Sequence, residues 1–215
     1  ITLKVDRNYG DLLPFNYQYE QSAVIYRILA QADTQYSSWL HENGYLLHER
    51  KRFKLFCYSP FIFEKVRPLP EAGCLKIIGE RAVWYISFIP EKSTLEFIQG
   101  IFAHQSFTIG NKKYQVAFDV VGVEAIPMPQ LSEGMTFVAL SPICVKLHED
   151  NKTQYLSPDN PMFAEGVLKG LMARYESIYG QPFNMEDREF SFELTDNKIK
   201  SKLITIKANT PYESR

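Results

Sequence analysis

Little in this sequence belongs to the strongly marked classes of protein. No apolar run approaches the ~20 residues of a membrane-spanning helix. The opening ITLKVDRNYG lacks the zones of a signal peptide, so no membrane is expected. Cysteine is scarce: Cys57, Cys74 and Cys144 are widely separated and form no CxxC pair. That argues against a disulfide framework or a zinc site and fits a reducing, cytoplasmic setting. There is no HExxH, no carboxylate cluster and no spaced Cys/His set, so neither metal nor other cofactor is expected. His148-Glu149-Asp150 has no spaced partner to complete a metal site. Charge of one sign is also lacking. The formal net charge is -1, so any polyanion would have to be met by a local patch.

What is present suits a globular chain of mixed elements. Its 215 residues, 45% hydrophobic, can bury one large core or two small ones. Ile1–Asp6 alternates as a half-buried strand does, and Asn8–Pro14 reads as loop. From about Tyr17 the period changes: Ile25, Ile28, Leu29 and Ala32 mark one helix face. Asp33 or Thr34 is placed to cap a second short helix with Tyr36, Trp39 and Leu40 inward, and Asn43-Gly44 to stop it. Lys54–Phe63 reads as a strand with an edge or bulge at Pro60, and Arg67–Gly73 as loop. Cys74–Ile78 and Ala82–Ile89 suggest a hairpin around Gly79-Glu80-Arg81. Glu91–Gln105 predicts a helix on Leu95, Ile98 and Phe102, and Phe107–Val123 predicts strand with a Gly110-Asn111-Lys112 turn. The pairs Phe61/Phe63 and Trp84/Phe88 have strand periodicity and read as core rather than base-stacking platforms.

Strand, helix, strand, strand, helix, strand is a ferredoxin-like unit. After Pro127 and Pro129 a second series begins, with Met135–Leu147 as strand, Pro161–Tyr179 as helix, and Phe190–Leu194 and Leu203–Ala208 as strands. The expected architecture is α+β, two tandem ferredoxin-like domains at residues 1–126 and 127–215. The second would need roughly 30 more residues to close, on typical element lengths. The chain is therefore expected to be C-terminally incomplete and, having no initiator Met, to lack at least one residue before Ile1.

The stretches LPFNYQYEQSAVIYRIL, WLHENG, KLFCYSPF and FVALSPICVKL, in this order and spacing, carry a resemblance. The sequence resembles the CRISPR repeat-processing endoribonucleases of the RAMP superfamily, over nearly its whole length. That resemblance implies a tyrosine on the first helix, a histidine near the end of the next short helix, and a lysine opening the following strand. On this sequence they are Tyr26, His41 and Lys54. The family's glycine-rich loop, which contributes to RNA binding, is absent because the chain ends first. The implied partner is precursor CRISPR RNA, with other CRISPR effector subunits and a homodimer left open, and no DNA. A non-catalytic subunit that binds CRISPR RNA is the alternative within the same superfamily.

The implied chemistry explains the residue types. Metal-independent cleavage sends the ribose 2′-hydroxyl against its own 3′-phosphate and leaves a 2′,3′-cyclic phosphate and a 5′-hydroxyl. It needs proton transfer and positive charge on the phosphorane. Histidine titrates near neutrality and suits either proton role. A phenol with pKa ~10 suits positioning better than base catalysis. Lys54 supplies a point cation, while His48, Arg50, Lys51 and Arg52 would hold flanking phosphates. Each residue also has an ordinary alternative: Tyr26 as packing, His41 as a helix cap, Lys54 as an edge lysine, and the basic run as a solvated face.

Overall fold

Alternation at the N-terminus does give a strand, β1 (Thr2–Asp6), with Leu3 and Val5 buried. The computed structural model describes residues 1–48, 51–149, 152–186, 188–195, 199, 204–205 and 213–214. After β1 come β2 (Leu12–Pro14), α1 (Gln18–Ala32), α2 (Thr34–Glu42), β3 (Tyr45–Leu47) and β4 (Lys51–Phe53). Short strands follow: β5 (Phe56–Tyr58), β6 (Ile62–Phe63), β7 (Val66–Leu69), β8 (Cys74–Ile77), β9 (Arg81–Val83) and β10 (Ile86–Phe88). Then come α3 (Glu91–Ala103), β11 (Ser106–Gly110) and β12 (Gln115–Gly122).

The central sheet has the order β11-β12-β1-β9-β6. Counting only strands separated by α1 and α3, this is fourth, first, third, second, the ferredoxin-like arrangement, with β11 added at one edge. Val24, Ile25, Ile28 and Leu29 of α1 join Phe97 and Ile101 of α3 over Leu3, Val5, Ala82, Val116 and Phe118. Phe61 and Trp84 are fully within this core, with ring centroids 5.3 Å apart. Phe63 and Phe88 pack against it half-buried, so these aromatics are core, as expected.

Several elements depart from the sequence reading. Cys74–Ile78 and Ala82–Ile89 do not form a hairpin. β8 pairs with β2 and β7, whereas β9 pairs with β1 and β6. The would-be turn is a crossing between sheets whose polar groups find distant partners. Arg7 donates to the carbonyls of Ile77, Ile78 and Gly79, the Glu64 carboxylate accepts from the Glu80 and Arg81 amides, and the Val5 amide donates to Glu80. The strand expected over Lys54–Phe63 is broken at buried Leu55, which has φ 54°, and again around Pro60. Its pieces lie in different sheets, β5 on β10 and β6 on β9. Two stretches read as loop hold short strands, β2 and β7. Pro68 is tolerated because β7 is the edge of its sheet. The charged connector after Gly44 is partly a hairpin, with β3 on β4 and His48 at φ 48°. On α3 the buried residues are Ser93, Phe97, Gly100 and Ile101. Leu95, Ile98 and Phe102 face solvent, because the close approach to α1 needs a glycine: a Cβ on Gly100 would lie 1.9 Å from the Ile28 carbonyl oxygen.

The second unit is built on β13 (Val145–Glu149), β14 (Lys152–Leu156) and α4 (Met162–Tyr179). Its core is Val145, Leu156 and Phe163, with Leu147, Val167 and Phe192 against it. The strand expected from Met135 starts only at Val145 and pairs with β14, which was not anticipated. Phe190–Leu194 is not strand; Phe192 instead packs on Phe163, ring centroids 5.4 Å apart. Of the expected Leu203–Ala208 strand, Ile204–Thr205 pairs with Glu213–Ser214 and the rest lies outside the described residues. Among the described residues no helix is long and apolar enough to cross a membrane.

Candidate active site

α1 buries Gln21, Val24, Ile25, Ile28 and Leu29. At 3.6 residues per turn Tyr26 falls on the flank of that stripe, half-buried. The turn to α2 is one residue long. Asp33 ends α1, and its carboxylate caps α2 by accepting the Tyr36 amide at 2.8 Å. That hydrogen bond, more than the nearby Lys92 at 3.3 Å, holds the Asp33 carboxyl below its usual range. Buried Ser37 then donates from its hydroxyl to the Tyr26 carbonyl at 2.8 Å. His41 lies four residues on, on the same helix face. The bond therefore sets the His41 ring beside Tyr26, centroids 4.9 Å apart and planes at 86°. Phe56 of β5 closes the other side of Tyr26 at 5.7 Å and 77°.

The Tyr26 pKa is pushed up to about 12, first by burial and then by the neighbouring Tyr58. It stays a neutral hydrogen-bond donor at any physiological pH. Tyr58 is itself raised by burial and donates to the Gln18 carbonyl at 2.9 Å. His41 is exposed, so the pair sits at the surface with the phenol as its floor. Lys54 follows β4 and turns its ammonium back onto the end of α2, 2.5 Å from the Leu40 carbonyl and 2.5 Å from that of His41. Burial, then the charge of Arg52, lowers its pKa. Two of its three N–H donors are thus engaged, and its charge remains beside the histidine.

The structure seats the His41 ring against Tyr26 and ties the Lys54 ammonium to the backbone carbonyl of His41, while His48 and Arg52 of the basic run go to separate partners. His48 points to the second unit, its Nε2 3.0 Å from Glu176 of α4. One residue before Lys54, the Phe53 ring lies under the Arg174 guanidinium at 5.2 Å, so the β3–β4 hairpin rests on α4 at two points. Arg52 donates to the Glu42 carbonyl at 2.9 Å. Lys51 is exposed, and Arg50 lies outside the described residues. Sequence reasoning missed Ser37, and it placed Phe56 in an RNA-contacting stretch without foreseeing its packing on Tyr26. A serine four residues before the histidine was a usable signal for the first, whereas nothing local marked the second. Among the described residues no three His, Cys, Asp or Glu side chains are grouped to hold a metal ion.

Comparisons with known proteins agree along the chain. The family described as CRISPR-associated protein Cas6, N-terminal, matches residues 12–118, and CRISPR associated protein Cas6, C-terminal, matches residues 126–214. A relative from Methanocaldococcus jannaschii, named CRISPR-associated endoribonuclease Cas6 1, is 28% identical over 96% of this chain and 75% of its own length. One from Pyrococcus furiosus, named CRISPR-associated endoribonuclease Cas6, is 24% identical over 91% of this chain and 68% of its own. A solved structure described as CRISPR associated protein Cas6 superposes with TM-score 0.70 at 25% identity, covering 99% of this chain and 81% of that one. Another, described as an RAMP protein binding different RNA substrates, gives 0.67 at 25% identity over 84% and 71%. The tandem ferredoxin-like α+β fold and these matches together place the chain in the Cas6 family of CRISPR-associated proteins.

Proposed function

We propose that this protein cuts precursor CRISPR RNA within its repeats without a metal ion, using Tyr26, His41 and Lys54, in a chain divided into domains 1–126 and 127–215. Membership of the Cas6 family makes the protein an endoribonuclease that processes CRISPR RNA. The finer reading rests on one observation, the ring-to-ring seating of His41 against Tyr26. His41 is the proton carrier of the transesterification. Tyr26, kept protonated by burial, donates a hydrogen bond to an oxygen of the reacting ribose-phosphate. Lys54 adds positive charge where the phosphorane forms. The products are a 2′,3′-cyclic phosphate and a 5′-hydroxyl.

The test is single-turnover cleavage of a repeat RNA in excess EDTA by wild type, His41→Ala and His48→Ala, with end-group analysis. Wild type should cut in chelator. His41→Ala should lose about 10²-fold or more in rate with little change in affinity. His48→Ala should keep its rate, because its imidazole faces Glu176. Loss of cleavage in EDTA, a 3′-hydroxyl product, or inactivation by His48→Ala would refute the reading. If neither variant loses rate while both bind RNA, the binding-only alternative holds.

A further inference from the structure

A helix leaves its last four carbonyls without intrahelical partners. In α2 the last helix bond ends on Trp39, and the carbonyls of Leu40, His41 and Glu42 beyond it are all satisfied. The Trp39 carbonyl accepts from the Asn43 amide at 2.8 Å and the Gly44 amide at 3.0 Å. Lys54 takes the Leu40 and His41 carbonyls, and Arg52 takes that of Glu42. Gly44 lets the strand come this close. Its φ is 66°, and a Cβ there would lie 2.6 Å from the Phe53 carbonyl oxygen and 3.3 Å from Lys54 Nζ.

Two cations two residues apart are thus directed at one helix end, and Arg52 contributes to lowering the Lys54 pKa. Placing like charges together is unfavourable, and a helix end at the surface can be closed by water instead. What the pair accomplishes is local. His41 is held from its N-terminal side by the Ser37 bond to Tyr26 and from its C-terminal side by these two donors. Among the described residues, the exposed ring is held by its edge contact with Tyr26.

We propose that Arg52 is a positioning residue for the cleavage reaction: together with Lys54 it locks the carbonyl end of α2 and so the direction of the His41 ring toward Tyr26. The inference rests on the reading of His41 as proton carrier. It differs from the phosphate-binding role that the sequence suggested for Arg52, and the two make opposite predictions. If Arg52 grips a phosphate, its removal weakens affinity and reduces the salt slope by about one unit, leaving the rate at saturation intact. If Arg52 positions His41, its removal lowers the rate at saturation and leaves affinity and salt slope alone.

The experiment uses the full-length enzyme and a repeat RNA. Arg52→Ala, Arg52→Lys and Arg52→Gln are made in wild type, and Arg52→Ala also in the His41→Ala background. Single-turnover rates at saturating protein and RNA affinity across a salt series are then measured. Arg52→Ala should slow cleavage by up to about 10²-fold, the scale of a misplaced catalytic group, with affinity and salt slope unchanged. Arg52→Lys, which can reach the same carbonyl, should recover most of the rate, and Arg52→Gln, a donor without the charge, less. In the His41→Ala background Arg52→Ala should add no further loss, because it acts through that ring. The proposal is overturned if Arg52→Ala weakens binding and flattens the salt slope at full rate, or if the two losses multiply. It is overturned by a different route if His41→Ala cleaves at the wild-type rate, since then the reading beneath it has failed.

Discussion

Gly100→Ala changes one hydrogen to a methyl at the point where α3 meets α1. The new Cβ would stand 1.9 Å from the Ile28 carbonyl oxygen and 2.8 Å from the carbonyl carbon, both backbone and both inside a helix. An ordinary C···O approach is about 3.3 Å, so the helices must separate by roughly 1.4 Å or tilt apart. A gap of 0.5–1 Å already forfeits about a quarter to a half of the dispersion energy across a contact. Overpacking of this kind costs about 1–3 kcal/mol. Against it stands a gain of about 1 kcal/mol for replacing glycine in a helix interior. A clash with main chain cannot be relieved by a rotamer change, so the upper part of the overpacking range applies and the net is a loss of about 2 kcal/mol. For a chain of this length that lowers the melting temperature by about 4–8 °C. Gly170→Ala is the control. It also lies within a helix, but its Cβ would meet a side chain and not a helix backbone, Arg174 Nη1 at 3.2 Å, so its loss should be well below that of Gly100→Ala. Thermal and urea unfolding followed by circular dichroism measure both. An unchanged or raised midpoint for Gly100→Ala would mean that α1 and α3 do not touch as described.

Tyr26→Phe should slow single-turnover cleavage by about 10², with the shape of the pH–rate profile unchanged between pH 6 and 10, because the phenol stays protonated up to about 12. An alkaline limb near pH 10 that disappears in the variant would instead make Tyr26 a titrating base. Stability should fall at high pH. The Tyr17 pKa is pushed up to about 12 by burial, against a hydrogen bond from the Phe61 amide that pulls it down. The folded state therefore holds that proton after the unfolded chain has released it near pH 10. The contribution is fully present below about pH 10 and is lost as pH rises toward 12, amounting to about 2–3 kcal/mol at roughly 1.4 kcal/mol per unit. Urea midpoints at pH 9 and pH 11.5 should show it, and Tyr17→Phe should reduce the difference. An equal drop in the variant would remove Tyr17 from the account.

The ferredoxin-like order was legible because its elements carry strong periodic signals. Ile25, Ile28 and Leu29 repeat at helical spacing, and Ile1–Asp6 alternates cleanly. Strand partners were not legible. Gly79-Glu80-Arg81 has the composition of a hairpin turn, and only the reach of Arg7 and Glu64 from elsewhere makes it a crossing between sheets. The buried face of α3 was misread for a related reason. Its closest contact is made by Gly100, which has no side chain to register in an apolar count, while Leu95, Ile98 and Phe102 do register and face solvent. At the site, residue identities came from the resemblance, and local pattern alone left Tyr26 as packing and His41 as a cap. The seating of one ring on the other depends on Ser37, whose role is set by a hydrogen bond across eleven residues. The destination of the Lys54 and Arg52 charges was likewise invisible, because a basic run reads the same whether it faces phosphate or helix carbonyls.

Tyr26 and the ribbon that holds the end of α2 belong to parts of the chain that should open on different timescales. Tyr26 is carried by α1, whose inward face is sealed in the main core, so its amide hydrogen should exchange with solvent only when the whole unit unfolds. The segment that holds the end of α2 includes β3 and β4, a two-stranded ribbon of three residues each that, among the described residues, pairs with no other strand. Its amides should exchange through small local openings that leave α1 intact. The end of α2 that carries His41 is thus held between a slowly opening wall and a quickly opening one, the second steadied by its contacts with α4.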